Sequence, residues 1–158
     1  MAQRATPDVD QYWLRQAIEL SRLCSRSMSA FSVGAVLVNA DGQVLATGYS
    51  RERDPADHAE EVALGKLGIA TWPHPGLAGT TLYSSLEPCA ARSSRPAPCA
   101  DLIVASGIGR VVLAWREPPI FVPGGGAVRL RKGGVAVVVI PELAQLARAV
   151  NAHLLYPD

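Results

Sequence analysis

Three residues that can bind a metal ion, His58, Cys89 and Cys99, stand in this sequence with an acidic neighbour, Glu60. Histidine nitrogen and cysteine sulfur are ligands that zinc prefers in proteins. Structural zinc sites are closed by four protein ligands, whereas catalytic sites keep three and leave one position open. A zinc ion lowers the pKa of a bound water to roughly 7, so a carboxylate beside it can take up the proton. The pattern therefore favours a catalytic zinc ion, with Glu60 as the group that moves a proton.

Each of these residues also has an ordinary interpretation when it is taken alone. The segment from Asp57 to Glu60 fits a capping box, in which Asp57 is the N-cap and Glu60 is the third helical residue. A closed zinc site is a second alternative, in which Cys24 or His74 supplies a fourth ligand and the ion only stabilises a non-catalytic module. The combination favours the enzyme, because the His-x-Glu pattern stands at the predicted start of one helix and Cys99 at the start of another.

Strands and helices must alternate along the chain to bring these residues together. Apolar runs bounded by turn residues predict five strands, at residues 33–38, 44–49, 80–84, 110–114 and 135–140. Helical patterns and capping signals predict helices from residue 7, over 58–67, 99–106 and 126–132, and from residue 141 onward, with Leu143, Leu146, Val150 and Leu154 on its buried face. A hairpin followed by helix–strand units predicts an α/β fold, a three-layer α/β/α sandwich around a mixed five-stranded sheet.

The composition predicts one soluble globular domain over residues 1–158. Hydrophobic residues make up 49% and charged residues 18% of the chain, which excludes a disordered protein. A formal net charge of +1 gives no reason to expect binding to a nucleic-acid polymer or to a membrane surface. No apolar run approaches the ~20 residues of a membrane-spanning helix, and the first residues contain no apolar signal segment. Because three cysteines cannot all pair within the chain, we expect a cytoplasmic location.

The motifs His58-Ala59-Glu60, Ser85-Leu86-Glu87-Pro88-Cys89 and Pro98-Cys99 together resemble those of the cytidine-deaminase-like zinc deaminases. In the signature of the nucleobase deaminases two residues separate the cysteines, whereas nine residues separate them here. This wide gap is similar to that of the pyrimidine deaminases of riboflavin biosynthesis, and the likeness extends from about residue 33 to residue 135. The resemblance implies a cytidine-deaminase-like fold, zinc held by the histidine and both cysteines, proton transfer by Glu60, and hydrolytic loss of ammonia from an aminopyrimidine-like ring.

Two positions differ from the riboflavin branch. Ala30-Phe31 stands where those enzymes have an Asn-Pro pair that contacts the base, and Ser50 stands where they have a histidine. The segment at residues 29–35 instead resembles the Ser-x-Phe-x-Val-Gly-Ala motif of free cytidine deaminases. The resemblance implies substrate-binding positions at Phe31, Ser50 and Ala59. It favours a riboflavin-type aminopyrimidine nucleotide as substrate, with a cytidine, deoxycytidylate or specialised-metabolite deaminase as the alternative.

Arg92 and Arg95 lie in the predicted loop between the two cysteines. Zinc ligands at both ends would hold this loop beside the reaction centre, where an arginine can bind a substrate phosphate through charge-assisted hydrogen bonds. Solvated loop arginines would look the same in sequence, so both interpretations stay open.

The resemblance also bears on the partners of the chain. Small deaminases of this kind are generally oligomeric, and symmetric dimers are the commonest arrangement. Because 49% of the residues are hydrophobic, we expect apolar side chains on the surface that a second subunit can cover. We therefore expect a homodimer that acts on a small amino-heterocycle, with no nucleic-acid polymer and no membrane as a partner.

Overall fold

The computed structural model of the protein describes residues 6–156. Both ends of the predicted domain, including the first five residues, where a signal segment would begin, lie outside the described residues. A mixed sheet of five strands forms the centre of the fold. The strands are β1 (Gly34–Val38), β2 (Val44–Tyr49), β3 (Thr81–Leu86), β4 (Arg110–Trp115) and β5 (Ala136–Val139), in the spatial order β2-β1-β3-β4-β5. β1 pairs antiparallel with β2 and β3, whereas β3, β4 and β5 run parallel.

Helices cover both faces of this sheet. Within the described residues they are α1 (Pro7–Ser21), α2 (Ala59–Gly65), α3 (Cys99–Ser106), α4 (Gly126–Lys132), α5 (Ala144–Val150) and α6 (Ala152–Leu155). α1 and α5 pack together on one face, and α2, α3 and α4 pack in a row on the other. This arrangement confirms the predicted three-layer α/β/α sandwich. Across residues 6–156, no helix has the length and apolar character needed to cross a membrane.

β1 and β2 form the predicted hairpin through local turn chemistry. The Asn39 side chain accepts hydrogen bonds from the backbone N–H groups of Asp41 at 3.1 Å and Gln43 at 2.9 Å. Gly42 has a φ of +80°, a conformation that residues with a side chain rarely adopt. The turn joins β1 to β2 and sets their antiparallel register.

Gly48 in β2 allows the start of α2 to approach the sheet closely. A Cβ atom on Gly48 would lie 2.4 Å from the carbonyl oxygen of Ala59 and 2.8 Å from the backbone nitrogen of Ala63. No side chain fits at those distances, so only glycine permits this packing. The close approach fixes the position of the residue that precedes α2, His58, on the sheet.

The fifth strand is shorter and more exposed than predicted. The apolar run at 135–140 predicts a buried strand, but the residues of β5 are exposed or half-buried. β5 is an edge of the sheet, so no further strand covers its outer side. Val135 and Ile140, which flank the strand, are buried instead.

The last helical segment is divided and buries only part of the predicted face, since Leu143 is buried and Leu154 packs against the core. Pro141–Leu143 forms a 3₁₀ turn, and Asn151 separates α5 from α6. Leu146 is 37% exposed, whereas Ala147 and Asn151 are buried. The amide of Asn151 accepts a hydrogen bond from Ser32 N at 2.7 Å and donates one to Ser32 O at 3.0 Å. This tertiary contact decides which face of α5 lies against the core, and helical periodicity alone does not contain it.

Candidate metal centre and active site

The three predicted metal ligands meet at the starts of α2 and α3. His58 is the N-cap of α2, Cys89 follows β3, and Cys99 is the first residue of α3. The Nδ1 atom of His58 lies 3.5 Å from the Sγ atom of Cys89 and 3.5 Å from that of Cys99. The ligand atoms of the three residues all lie within 4.8 Å of one another. Folding thus brings together three side chains that are far apart along the chain.

The three side chains fit a tetrahedral zinc ion. With Zn–N and Zn–S bonds of about 2.1 and 2.3 Å, a nitrogen and a sulfur ligand of a tetrahedron lie about 3.6 Å apart. Both N···S distances of 3.5 Å agree with this value. The chain therefore provides the donor set of a zinc site with three protein ligands, the type that leaves its fourth position for water or substrate.

Hydrogen bonds favour a thiolate at Cys89. The backbone N–H of Cys99, at the start of α3, donates to the Sγ atom of Cys89 at 3.2 Å. A hydrogen bond from the Cys99 thiol lowers the pKa of Cys89 to about 4, and the same bond, together with burial, raises the pKa of Cys99. The pair thus holds at least one thiolate near neutral pH, the form in which cysteine binds a metal.

Glu60 is buried next to the ligands, with 4% of its surface exposed. Its Oε1 atom accepts a hydrogen bond from the Ser84 hydroxyl at 2.9 Å, and that hydroxyl also lies 2.7 Å from the carbonyl oxygen of Leu86. Burial raises the pKa of Glu60, and the charge of His58 opposes the rise. Ser84 thus holds a carboxylate beside the metal cluster, where it can exchange a proton with a molecule in the open position.

The start of α2 differs by one residue from the predicted capping box. The N-cap is His58 rather than Asp57, and the third helical residue is Glu61, whose Oε1 atom accepts a hydrogen bond from His58 N at 2.8 Å. The carboxylate of Asp57 accepts instead from the backbone N–H groups of Arg53 at 3.0 Å and Asp54 at 2.9 Å. The glutamate of the His-x-Glu pattern is therefore not needed as a cap.

Neither residue considered as a fourth ligand lies in the metal cluster. The Sγ atom of Cys24 lies 3.6 Å from the carbonyl oxygen of Val33. The Nδ1 atom of His74 accepts a hydrogen bond from Gly76 N at 3.1 Å, at the start of a 3₁₀ turn. The part of the chain that the structure describes thus contains a three-ligand cluster and no closed four-ligand site. This observation disfavours a purely structural zinc module.

A cavity of about 570 Å³ opens at the metal cluster. Two of the three ligands and the carboxylate beside them lie on its wall. Of the predicted substrate-binding residues, Phe31, Ser50 and Arg92 line the cavity, whereas Ala59 and Arg95 do not. The volume is in the range of about 300–1,000 Å³ that is usual for small-molecule sites.

Packing and hydrogen bonds hold three of the predicted substrate-binding residues, Phe31, Ser50 and Ala59, in their positions. The Ser50 hydroxyl accepts a hydrogen bond from Val33 N at 2.9 Å, so it holds the end of β2 to the segment before β1. Phe31 packs edge-to-face against Phe121 with 5.0 Å between ring centroids, and both rings line the cavity. Ala59 is completely buried. Substrate binding by these residues stays a prediction.

The two loop arginines are engaged in ion pairs. Only 3% of the Arg92 side chain is exposed, and its Nη2 atom donates to Glu61 Oε1 at 3.1 Å and to the Ala56 carbonyl at 2.8 Å. Arg95 is more open, with 36% of its side chain exposed, and pairs with Asp54 at 3.4 Å. Neither arginine is an uncommitted solvated side chain, and phosphate binding by either one stays a prediction.

Glu87 organises the loop that follows β4, a role that sequence reasoning missed. Its buried carboxylate accepts hydrogen bonds from Glu117 N at 3.0 Å and Ala127 N at 2.7 Å. At the start of α4, a Cβ atom on Gly126 would lie 1.7 Å from the carbonyl oxygen of Pro88, so the helix begins directly against the segment that carries the first cysteine. The Glu-Pro-Cys motif marks Glu87, but it does not indicate these backbone partners.

Arg51 and Glu117 also line the cavity and were not identified from the sequence. Arg51 has a φ of +59°, and its guanidinium donates to the carbonyls of Ser25 at 2.7 Å and Phe31 at 3.1 Å. These bonds hold the segment before β1 against the cavity. A charged residue shortly after a buried strand was the available signal for Glu117, whereas no sequence pattern distinguishes Arg51 from other loop arginines.

Known proteins resemble this chain over most of its length. A model of the cytidine and deoxycytidylate deaminase zinc-binding region matches residues 7–115. The chain is 42% identical over 129 residues to the diaminohydroxyphosphoribosylamino-pyrimidine deaminase of Schizosaccharomyces pombe, covering 82% of this chain and 31% of the relative. It is 33% identical over 131 residues to the protein of that name from Buchnera aphidicola subsp. Schizaphis graminum, covering 82% of this chain and 83% of the relative. The solved structure of Acinetobacter baumannii RibD superposes with a TM-score of 0.72 at 33% identity, covering 92% of this chain and 39% of that one.

These relatives differ in length. The chain spans about a third of the curated Schizosaccharomyces pombe and Aquifex aeolicus proteins that it matches, at 31% and 28% of their lengths. It spans most of the Buchnera protein, at 83%. The region that the family model matches, residues 7–115, contains all three residues of the metal cluster.

Proposed function

The chain belongs to the zinc-binding family of cytidine and deoxycytidylate deaminases, and we propose that it removes ammonia by hydrolysis from an aminopyrimidine nucleotide of the riboflavin type. One observation carries this proposal. The three predicted zinc ligands converge beside a cavity, two of them on its wall, with Glu60 held beside them and no fourth protein ligand among the described residues. A centre of this kind suits catalysis because its open position can accept a reactant.

The riboflavin type is favoured by the relatives and by the spacing of the cysteines. Proteins that are 33–42% identical to this chain carry the name diaminohydroxyphosphoribosylamino-pyrimidine deaminase. Nine residues separate Cys89 from Cys99, as expected for that branch. The aromatic wall of Phe31 and Phe121 offers the pyrimidine ring an apolar surface to pack against.

In the proposed mechanism Glu60 carries the proton. When bound by His58, Cys89 and Cys99, a zinc ion supplies Lewis-acid chemistry and lowers the pKa of a water to roughly 7. Glu60 accepts a proton from the attacking water and donates it to the amino nitrogen, which leaves as ammonia. The Ser84 hydroxyl holds the carboxylate in place during both transfers.

A cytidine or deoxycytidylate deaminase is the second candidate, and one observation favours it. The segment at residues 29–35 has the Ser-x-Phe-x-Val-Gly-Ala pattern of free cytidine deaminases. Phe31 of that segment lies on the cavity wall, at a position where the riboflavin branch has the proline of an Asn-Pro pair. A specialised-metabolite deaminase fits the same observation.

Ammonia release from a panel of compounds tests the proposal. The zinc-loaded protein is incubated with diaminohydroxyphosphoribosylaminopyrimidine, cytidine, deoxycytidylate and free amino-heterocycles. We expect the highest kcat/KM for the diaminopyrimidine nucleotide. Cys89→Ser should lose both zinc and activity, whereas the matched variant Cys24→Ser should keep both. No ammonia from any compound, with one zinc bound per chain, would overturn the proposal.

We further propose that residues 1–158 form one deaminase domain, that the protein is a homodimer and that it acts in the cytoplasm. The apolar richness of the sequence supports association, and the three unpaired cysteines suit a reducing compartment. Cell fractionation that recovers the protein outside the cytosolic fraction would contradict the location.

A further inference from the structure

One carboxyl oxygen of Glu117 is buried in the cavity wall without a hydrogen-bond partner. Glu117 stands two residues after the end of β4 and lines the same cavity as the metal cluster. Its Oε2 atom is inaccessible, and no donor within residues 6–156 reaches it. Buried polar atoms in folded proteins are nearly all paired, so an exception in a binding cavity indicates a partner that comes from the ligand.

Backbone contacts fix Glu117 in this position. Its N–H donates to Glu87 Oε1 at 3.0 Å, and the same carboxylate accepts from Ala127 N at 2.7 Å. The N–H of Glu87 in turn donates to the carbonyl of Trp115 at 2.7 Å. The segment from Trp115 to Glu117 is thus held at both ends, and the carboxyl group that it carries lacks a donor for one oxygen.

The surroundings of this carboxyl group favour a ligand with N–H donors. Burial, followed by the negative charges of Cys89, Glu60 and Glu87, raises the pKa of Glu117 to about 8. Charges on Cys89 and Glu60 act on it because the group lies within electrostatic reach of the metal cluster. An N–H donor of a ligand beside this carboxyl group would stabilise its charged form and so oppose the rise in pKa.

We propose that Glu117 determines substrate specificity by accepting a hydrogen bond from an amino group of the pyrimidine other than the one that leaves. This inference rests on the proposed function. A diaminohydroxyphosphoribosylaminopyrimidine, as named for the relatives, keeps a second amino group and a ribosylamino N–H when one amino group is at the metal cluster. Cytosine carries a single amino group, and the neighbouring ring nitrogen and oxygen are acceptors. A site with a carboxylate at this point favours the diaminopyrimidine over cytosine.

The variant Glu117→Gln tests the proposal, because it keeps the size of the side chain and replaces the carboxyl group by an amide, which cannot ionise when an N–H donor binds beside it. Its matched control is Glu142→Gln, which changes an exposed glutamate outside the cavity. We expect kcat/KM for the diaminopyrimidine nucleotide to fall about 10- to 100-fold, the range of one charge-assisted hydrogen bond. The kcat/KM for deoxycytidylate should not fall, and the control should match the parent protein on both substrates. An equal loss on both substrates, or no loss on either, would overturn the proposal.

A binding experiment separates this proposal from the proposed function. Dissociation constants of 5,6-diaminouracil and uracil are measured by calorimetry on the zinc-loaded protein and on both variants. We expect the parent and Glu142→Gln to prefer the diamino ring at least about 10-fold and Glu117→Gln to lose that preference. If no compound of the panel is deaminated, the proposed function fails, and this comparison still decides the role of Glu117. Equal binding of the two rings by the parent, or a preference that survives in Glu117→Gln, would refute it.

Discussion

The guanidinium Nη1 atom of Arg92 lies 3.8 Å from the Sγ atom of Cys99, a predicted metal ligand. The same side chain donates to Glu61 Oε1 at 3.1 Å, and Glu61 Oε1 accepts the backbone N–H of His58 at 2.8 Å. One arginine from the loop between the cysteines thus connects two of the three ligands. Partners of this kind orient metal ligands and tune their affinity, so the first effect of losing Arg92 should be on the metal.

Replacing Arg92 by methionine should weaken zinc binding about 10- to 100-fold, the usual effect of losing an outer partner of a metal ligand. Competition with a chromogenic chelator measures the affinity. Arg116→Met is the matched control, because Arg116 is exposed and outside the cavity wall. Thermal unfolding of the zinc-free proteins shows whether the fold itself is weakened. Unchanged zinc affinity with a loss restricted to phosphorylated substrates would assign Arg92 to the phosphate instead.

Arg95 lies outside the cavity wall but is the more available of the two arginines for a phosphate contact, since 36% of its side chain is exposed. Arg95→Ala should lower kcat/KM for a nucleotide about 10-fold or more, the effect of one charge-assisted hydrogen bond. The matching nucleoside should be nearly unaffected because it has no phosphate. The kcat/KM values for the nucleotide and the nucleoside are measured on protein samples with the same zinc content. Equal losses on both compounds, or none, would remove the phosphate role and favour a nucleoside or free-base substrate.

Glu60→Gln should reduce turnover at least about 100-fold, because the amide cannot carry a proton between water and the leaving nitrogen. Zinc content should remain one ion per chain, since Glu60 is not among the three clustered ligands. Steady-state kinetics and metal analysis on the same sample check both statements. Near-normal turnover in this variant would show that another carboxylate of the site, Glu87 or Glu117, carries the proton.

The protein should sediment as a dimer at micromolar concentration. Each chain has a mass of 16.7 kDa, so the dimer should appear at twice that value. Exposed apolar side chains on the described surface, including Val44 and Leu45 on β2, are available for such a contact. Sedimentation velocity across a concentration series gives the mass. A single species with the mass of one chain throughout the series would contradict the expectation.

Local signals in the sequence predicted the elements that carry the ligands. Asn39 and Gly42 make the turn of the hairpin through contacts within five residues. Gly107, with a φ of +90°, ends α3 at the predicted residue. Caps, turns and apolar periodicity depend on neighbours along the chain, so they can be recognised without knowing the fold. The five strands and the helix starts at His58 and Cys99 follow from such signals.

The sequence by itself determined the α/β sandwich and the types and spacing of the zinc ligands, but only the tertiary structure decided which other polar side chains serve the site. Arg92 meets Ala56 across 36 positions, Glu117 meets Glu87 across 30, and Asn151 meets Ser32 across 119. Contacts over such separations form only when the strands assemble into one sheet, and they leave no local pattern. A loop arginine or glutamate therefore has the same appearance in the sequence whether it is solvated or buried against a metal ligand.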